Sequence, residues 1–147
     1  MDNDRGITLV ELIMVICIIS IILLIPTLRY GSILNNSDKR EITEFKNDIN
    51  YARNRAIIES TIYYVTIIPN SSSYRIYKQE SMRRLIKKKN FDNGMIICGN
   101  NFGGNEIVFN RSGSPLRAGT VELRGSRGKS IEVTIAPATG KVNIYFK

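Results

Sequence analysis

The order of apolar and polar residues divides the chain into three parts. From Ile7 to Leu28 nearly every residue is apolar, and Glu11 is the only residue with a charge at neutral pH. A helix needs about 20 apolar residues to cross the hydrocarbon core of a membrane. A carboxylate inside such a segment costs roughly 2.5–3.5 kcal/mol to insert and usually marks a function. Residues 7–28 therefore predict a membrane-spanning helix, and Glu11 is its candidate functional residue.

The second part, residues 29–59, has the periodicity of an amphipathic helix. The polar stretch from Gly31 to Asp38 forms either a flexible joint or a frayed continuation of the preceding helix. After it, apolar residues recur at steps of three and four, which predicts one buried stripe. The residues of this stripe are Ile42, Phe45, Ile49, Ala52 and Ala56. The carboxylates expected on the solvated face are those of Glu41, Glu44, Asp48 and Glu59.

After Glu59 the period changes to two, as expected of strands with one buried face and one wet face. Residues 61–68 and 74–78 flank a turn and indicate a hairpin. Five shorter segments follow, near residues 95–98, 107–109, 121–123, 131–135 and 142–146. Residues 60–147 therefore predict about seven strands in a small, mainly antiparallel β-domain packed on the helix, and the fold class is α+β. The segment from Met82 to Asn90 is rich in Lys and Arg, and we expect a solvated loop unless it contacts nucleic acid.

The chain is basic, with 21 Lys and Arg residues against 13 Asp and Glu residues and a net charge of +8. Such a charge favours nucleic acid, anionic surface polymers or lipid headgroups as partners, although a Lys-rich solvated surface has the same composition. The candidates for nucleic-acid contact are Arg83, Arg84, Lys87, Lys88 and Lys89 in a first group, and Arg124, Arg127 and Lys129 in a second. Tyr74, Tyr77 and Phe91 lie near the first group in sequence and are candidates for stacking on bases.

The sequence lacks the residue patterns that catalysis and metal binding require. There is no His, and Cys17 and Cys98 do not have the spacing of zinc ligands. Cys17 lies in the apolar segment, so we expect no disulfide between the two. No nucleophile-elbow or P-loop motif occurs. We therefore expect no metal, no cofactor and no enzymatic activity.

The apolar segment opens with the motif Gly6-Ile7-Thr8-Leu9-Val10-Glu11. A short leader, a Gly, a Glu five positions later and a long apolar run together resemble the N-terminal signal of type IV pilins and type II secretion pseudopilins. The resemblance implies that residues 1–6 are a leader, that prepilin peptidase cuts between Gly6 and Ile7, and that Ile7 is then N-methylated. It also implies that Glu11 serves assembly, by offsetting the α-amino group of a neighbouring subunit, since either charge alone is costly to bury.

Two other interpretations of the N-terminus compete with this one. A secretory signal peptide needs a positive n-region and a small-residue cleavage site after its apolar core, whereas this leader is net acidic and no such site follows. A plain bitopic anchor would be oriented by the Lys and Arg residues that flank it. Arg29, Lys39 and Arg40 follow the segment and only Arg5 precedes it. This bias favours the orientation opposite to that of a pilin.

Four later segments are similar to the H-type minor pseudopilins of type II secretion. They are residues 51–57 (Tyr-Ala-Arg-Asn-Arg-Ala-Ile), 109–113 (Phe-Asn-Arg-Ser-Gly), 119–123 (Gly-Thr-Val-Glu-Leu) and 139–142 (Thr-Gly-Lys-Val). Together with the N-terminal motif, the resemblance spans nearly the whole chain. It implies a pilin-like fold, with a β-domain on the end of the long helix, and a minor rather than a major subunit.

The sequence therefore favours a minor pilin or pseudopilin. We expect a single pass through the inner or cytoplasmic membrane, with the C-terminal domain outside the cytoplasm. After assembly the chain would belong to a periplasmic or cell-surface filament of a type IV pilus, type II secretion or competence system. The expected partners are prepilin peptidase, other pilin or pseudopilin subunits and the membrane. The alternative is a minor pilin that captures extracellular DNA through the two basic groups, with salt-sensitive binding.

Overall fold

A computed structural model describes residues 8–33 and 36–147, with side chains for residues 8–22 and 37–147. The chain divides into two compact units, Met1–Ser37 and Asp38–Lys147. Helix α1 (Leu9–Ile33) belongs to the first unit, and helix α2 (Asn36–Ile58) reaches into the second unit, which also contains eight strands. The predicted α+β fold is thus confirmed, with one strand more than the alternation of residues indicated.

Helix α1 begins just after Thr8, which caps its first turn. The backbone N–H of Glu11 donates to the Thr8 carbonyl oxygen at 3.0 Å and lies 3.3 Å from Thr8 Oγ1. Further along, Ser20 Oγ donates to the carbonyl oxygen of Ile16 at 2.7 Å, which satisfies the hydroxyl within an apolar helix. Within the described part of the chain, no helix combines the length and the apolar character needed to cross a membrane.

The second unit contains two antiparallel sheets of four strands each. The strands are β1 (Tyr63–Ile68), β2 (Ser73–Lys78), β3 (Arg84–Asn90), β4 (Ile96–Asn100), β5 (Glu106–Phe109), β6 (Gly119–Arg124), β7 (Ser130–Ile135) and β8 (Val142–Phe146). The first sheet has the order β3-β2-β1-β5 and the second has the order β4-β6-β7-β8. β1 and β2 form the predicted hairpin, with Tyr63 opposite Lys78 and Ile68 opposite Ser73.

Strand β3 is the element that the sequence pattern did not predict. It pairs with β2 at the edge of the first sheet, where we expected a solvated loop. Ile86 is its one residue packed on the core among the described side chains. Lys87 and Lys89 pair instead with carboxylates of α2. Charged side chains on an edge strand discourage pairing with other chains, but they also remove the apolar alternation by which a strand is recognised.

One hydrophobic core joins α2 to both sheets. All five residues of the predicted apolar stripe are at most 1% exposed, so this prediction is confirmed. At one end of the core three aromatic rings meet. The ring centroid of Phe45 lies 4.7 Å from that of Tyr74 and 6.0 Å from that of Phe91. Edge-to-face rings at these distances stabilise each other beyond the area that they bury.

Asp48 of α2 is buried, although the helical periodicity placed it on the solvated face. It is 7% exposed, and its Oδ2 accepts a hydrogen bond from the hydroxyl of Tyr74 at 2.7 Å. Lys87 Nζ donates to its Oδ1 at 2.8 Å. Burial, together with the hydrogen bond to Asp48, raises the pKa of Tyr74 far above its usual range. A buried carboxylate is tolerated when it is paired in this way, so Asp48 joins α2 to the first sheet.

Glu41 is the second α2 carboxylate that is buried against expectation, and it is also 7% exposed. Its Oε1 accepts hydrogen bonds from the backbone N–H groups of Asp92 at 2.8 Å and Asn93 at 3.0 Å. The side-chain amide of Asn93 donates to the same oxygen at 2.8 Å. Glu41 therefore fixes the loop that follows β3 against the first turns of α2.

Glu59 holds the far end of α2, one residue beyond its last helical residue. Its carboxylate accepts a hydrogen bond from the Tyr63 hydroxyl at 2.9 Å and lies 3.0 Å from Lys78 Nζ. The hydrogen bond from Lys78, followed by that from Tyr63, lowers the pKa of Glu59 below its ordinary value of 4.5. The resulting stabilisation is present above that ordinary pKa and is lost as the pH falls through the lower, folded-state pKa.

Replacing Tyr74 by Phe tests the buried contact with Asp48. We expect Tyr74→Phe to lower the free energy of unfolding by about 1–3 kcal/mol, because a buried carboxylate loses a donor. Urea unfolding of residues 38–147, followed by near-UV circular dichroism, measures the change. Tyr145→Phe is the matched control, since Tyr145 is 54% exposed, and should change stability by less than about 0.5 kcal/mol. Equal effects of the two variants would contradict this role of Asp48.

The pKa of Glu59 gives a second test. We expect Lys78→Gln to raise this pKa more than Tyr63→Phe does, because Lys78 makes the larger contribution to the shift. Titration of the side-chain carboxyl carbon by NMR measures the pKa directly. Lys88→Gln removes an exposed cation from β3 and should leave the titration of Glu59 unchanged. A Glu59 pKa that does not respond to Lys78→Gln would show that another group causes the shift.

Candidate functional site

Glu11 lies in the first turn of α1, where it is exposed. The positive end of the helix dipole favours a carboxylate at this position. Thr8 and Glu11 have the spacing of a capping box, in which the N-cap hydroxyl bonds to the N–H three residues on. This role of Thr8 was not predicted from the sequence, although the Thr-x-x-Glu spacing is the signal for it. The predicted cleavage position, Gly6–Ile7, lies outside the described residues.

The described side chains of α1 are apolar on every face of the helix. Its large apolar residues from Leu9 to Ile22 are between 49% and 74% exposed. A helix that is apolar all round is stable in lipid or among other helices. Over its described side chains, α1 is thus an apolar helix with one carboxylate, that of Glu11, in its first turn.

Two of the three lysines of the first basic group pair with acidic residues of α2. Lys87 Nζ lies 2.8 Å from the Asp48 carboxylate, and Lys89 Nζ lies 3.1 Å from Glu44 Oε1. The hydrogen bond to Glu44 raises the pKa of Lys89 above its ordinary value. Lys88 is exposed and forms no ion pair with any residue whose side chain is described.

The arginines of the first group are also paired. Arg83 Nη1 lies 2.7 Å from Glu106 Oε1, and its guanidinium stands 4.0 Å above the centroid of the Tyr64 ring. The hydrogen bond to Glu106 raises the pKa of Arg83. Arg84 Nη1 lies 3.7 Å from Glu80 Oε1. Acidic residues therefore offset much of the positive charge that the sequence concentrates here.

The aromatic residues near the first basic group do not form a stacking surface. Tyr74 is 1% exposed and Phe91 is 6% exposed, and both belong to the hydrophobic core. The prediction that these two rings stack on bases is therefore wrong. Tyr77 is partly exposed, and its hydroxyl lies 3.5 Å from Arg75 Nη1.

The second basic group surrounds the turn between β6 and β7. Arg124, Arg127 and Lys129 are exposed, and none forms an ion pair with another described side chain. The N–H of Gly125 donates to the Lys129 carbonyl oxygen at 2.9 Å, which closes the turn. Gly128 has a φ of +77°, a conformation that other residues rarely adopt. The turn therefore presents three free cations on a defined backbone.

The structure does not bring the two basic groups together. Lys87 and Lys89 of the first group pair with Asp48 and Glu44, in the middle of α2. The turn of the second group packs on Asp38, near the start of α2, where Ser126 Oγ donates to Asp38 Oδ1 at 2.9 Å. Asp38 and Asp48 lie about 15 Å apart along the helix at 1.5 Å per residue. The two groups are separate surfaces.

Two families of known proteins match the sequence. The profile of the family described as "Type II transport protein GspH" matches residues 41–139. The profile described as "Prokaryotic N-terminal methylation motif" matches residues 1–25, which include Gly6, Ile7 and Glu11. A comparison with curated proteins found no match.

Solved structures with a similar fold include two minor subunits of bacterial filaments. The minor pseudopilin EpsH from the Type 2 Secretion System of Vibrio cholerae has a TM-score of 0.63 and 11% identity, covering 75% of this chain and 97% of its own. The type IV minor pilin FimU of Pseudomonas aeruginosa has a TM-score of 0.57 and 12% identity, covering 82% of this chain and 92% of its own. These likenesses confirm the pilin-like fold. The family match, over more than half of the chain, shows that this protein belongs to the GspH family of pseudopilins.

Proposed function

We propose that the chain is a minor subunit of a type II secretion or type IV pilus filament, processed by prepilin peptidase and assembled through its N-terminal helix. The observation that carries this proposal is the arrangement of side chains at the start of α1. It combines a Thr8 cap, the carboxylate of Glu11 and exposed apolar faces. The methylation motif matched by residues 1–25 supports it.

Cleavage between Gly6 and Ile7 would create an α-amino group about one helical turn before Glu11. In lipid or in a packed bundle of helices, an isolated charge of either sign is costly. The Glu11 carboxylate of a neighbouring subunit would pair with the new N-terminus and remove this cost. Because the pair forms only at one stagger of the two helices, it would also fix the axial register of the subunits. The apolar residues of 7–28 would supply the rest of the packing.

This assembly requires a particular arrangement at the membrane. Residues 7–28 anchor the chain by a single pass in the inner or cytoplasmic membrane, and residues 38–147 lie outside the cytoplasm. Prepilin peptidase is the first partner, and other pilin or pseudopilin subunits follow. The surface of the second unit would then determine which other subunits it contacts in the filament. Those subunits would determine whether the filament belongs to a pilus, secretion or competence system.

The alternative function, capture of extracellular DNA, remains a prediction. Lys88 and the three cations of the β6–β7 turn are exposed and unpaired among the described side chains, which is what phosphate contact requires. The ion pairs of Arg83, Lys87 and Lys89 weaken the first basic group as a DNA surface. We therefore favour the structural role and retain DNA as an outcome of the experiment on the basic turn described below.

The intact mass of the chain extracted from membranes tests the proposed function. In cells with active prepilin peptidase, we expect the mass to fall by that of residues 1–6 and to rise by one methyl group. Without the peptidase, the full-length mass should remain. Gly6→Ala should stay full length even with the peptidase, at a mass one CH2 above that of the uncleaved wild-type chain, because we expect the peptidase to require Gly before the cut.

A second prepilin processed in the same cells is the control for peptidase activity. If that prepilin is cleaved while the wild-type chain stays full length, the proposed function is wrong. A chain cut at any other bond would overturn the assignment of Gly6 and Ile7.

A further inference from the structure

A cluster of cations lies at one end of the second unit. Lys39 and Arg40 stand at the start of α2, and Arg124, Arg127 and Lys129 surround the β6–β7 turn. All five are exposed, and none forms an ion pair with a described side chain. We call these five residues the proximal basic surface, because they lie at the end of the second unit where the chain enters it from α1.

Asp38 holds the two parts of this surface together. It is 6% exposed, and its Oδ1 accepts a hydrogen bond from Ser126 Oγ at 2.9 Å. The turn packs so closely on Asp38 that a Cβ on Gly125 would lie 2.6 Å from Asp38 Oδ2. The Asp38 carboxylate is therefore directed into the protein. Its negative charge secures the turn, and the cations are left facing solvent.

Strand β8 brings exposed aromatic residues to the same end. The N–H of Lys147 donates to the Ser130 carbonyl oxygen at 2.9 Å, so β8 ends beside the β6–β7 turn. Phe146 is 57% exposed and Tyr145 is 54% exposed. Lys147 itself pairs with Glu132. Aromatic side chains next to cations are characteristic of protein surfaces at the level of lipid headgroups.

The anchor limits how far this surface lies from the membrane. Asp38 lies ten positions after Leu28, the end of the apolar segment. These ten positions span about 15 Å as a helix and at most about 36 Å when fully extended. The opposite end of the second unit, beyond Glu59, lies about 30 Å from Asp38 along α2. Among the surfaces of the second unit, the proximal basic surface is thus the one joined to the anchor by the shortest length of chain.

We propose that the proximal basic surface docks on the anionic phospholipid headgroups of the membrane that anchors the chain, and so holds the second unit on the bilayer before assembly. This inference rests on the proposed function, since it requires α1 in the membrane. It also gives a role to Lys39 and Arg40, which run against the usual distribution of charge around a membrane helix. Cations near an anionic surface bind it in a salt-dependent manner.

A tryptophan at the end of β8 would report this docking. The chain contains no Trp, so Phe146→Trp gives a full-length protein with a single tryptophan beside the proximal basic surface. Phospholipids brominated near the headgroup end of their acyl chains quench tryptophan that reaches the interface. The protein is reconstituted into such vesicles, made either of phosphatidylglycerol and phosphatidylcholine or of phosphatidylcholine alone. We expect quenching at least about twofold stronger in the anionic vesicles, and reduced by high salt.

Two controls separate docking from general proximity. Met82→Trp places the tryptophan at a residue that is 86% exposed, in the loop between β2 and β3, near the Glu59 end of α2. It should be quenched weakly in both kinds of vesicle. Added to Phe146→Trp, the triple change Arg124→Gln, Arg127→Gln, Lys129→Gln should abolish the anionic preference of the quenching. A matched triple change in the loops that precede β6 and β8, Arg111→Gln, Arg117→Gln, Lys141→Gln, removes the same charge and should retain the anionic preference.

The outcomes distinguish this inference from the proposed function. Failure of the full chain to float with vesicles would overturn the proposed function. Flotation with equal quenching of the Phe146→Trp chain in anionic and neutral vesicles would overturn only the docking. Equal losses in the two triple variants would show a general effect of net charge and would also overturn it. If the first triple variant lost salt-sensitive binding to duplex DNA while its tryptophan quenching did not change, the turn would be a DNA surface instead.

Discussion

The packing of the apolar stripe of α2 on both sheets is the interaction on which the rest of the second unit depends. Burial supplies the driving force, but it does not fix the position of the helix along its own axis. Three carboxylates do so, each through a different element. Asp38 bonds to the β6–β7 turn, Glu41 to the loop after β3, and Asp48 to Tyr74 and Lys87. Hydrogen bonds have a defined direction and reach, so these contacts select one register among those that the apolar stripe would accept.

The sequence predicted those features that depend on local spacing. The stripe from Ile42 to Ala56 and the alternating strands follow from periods of 3.6 and two residues, and both are present. Strand β3 and the buried carboxylates were missed for one physical reason. Asp48 is buried because Tyr74 and Lys87 lie opposite it, 26 and 39 residues later in the chain. The spacing of apolar residues cannot predict the burial of a polar group whose partners are distant in sequence and meet it only in the folded chain.

The same distinction separates the two kinds of candidate site. The processing motif lies within six consecutive residues, so the roles proposed for Gly6, Ile7 and Glu11 depend on the sequence alone. The basic groups gave no such certainty, because the effective charge of a lysine depends on its neighbours in space. Lys87 and Lys89 lose much of theirs to Asp48 and Glu44, whereas the turn residues keep it because Asp38 is occupied by Ser126. The two basic groups look alike in the sequence but differ in the fold. The first joins β3 to α2 through ion pairs, and the second remains exposed to solvent.

In the proposed assembly, the Glu11 carboxylate pairs with the N-terminus of a neighbouring subunit. The most direct measurement compares the amounts of wild-type and Glu11→Gln chain in purified filaments, after co-expression with partner subunits and prepilin peptidase. Gln keeps the shape of the side chain and removes its charge. We expect the Glu11→Gln chain to be cleaved and methylated in the membrane but depleted from filaments by about tenfold or more, because a buried charge pair is lost. Incorporation of the cleaved, methylated variant at the wild-type level would contradict it.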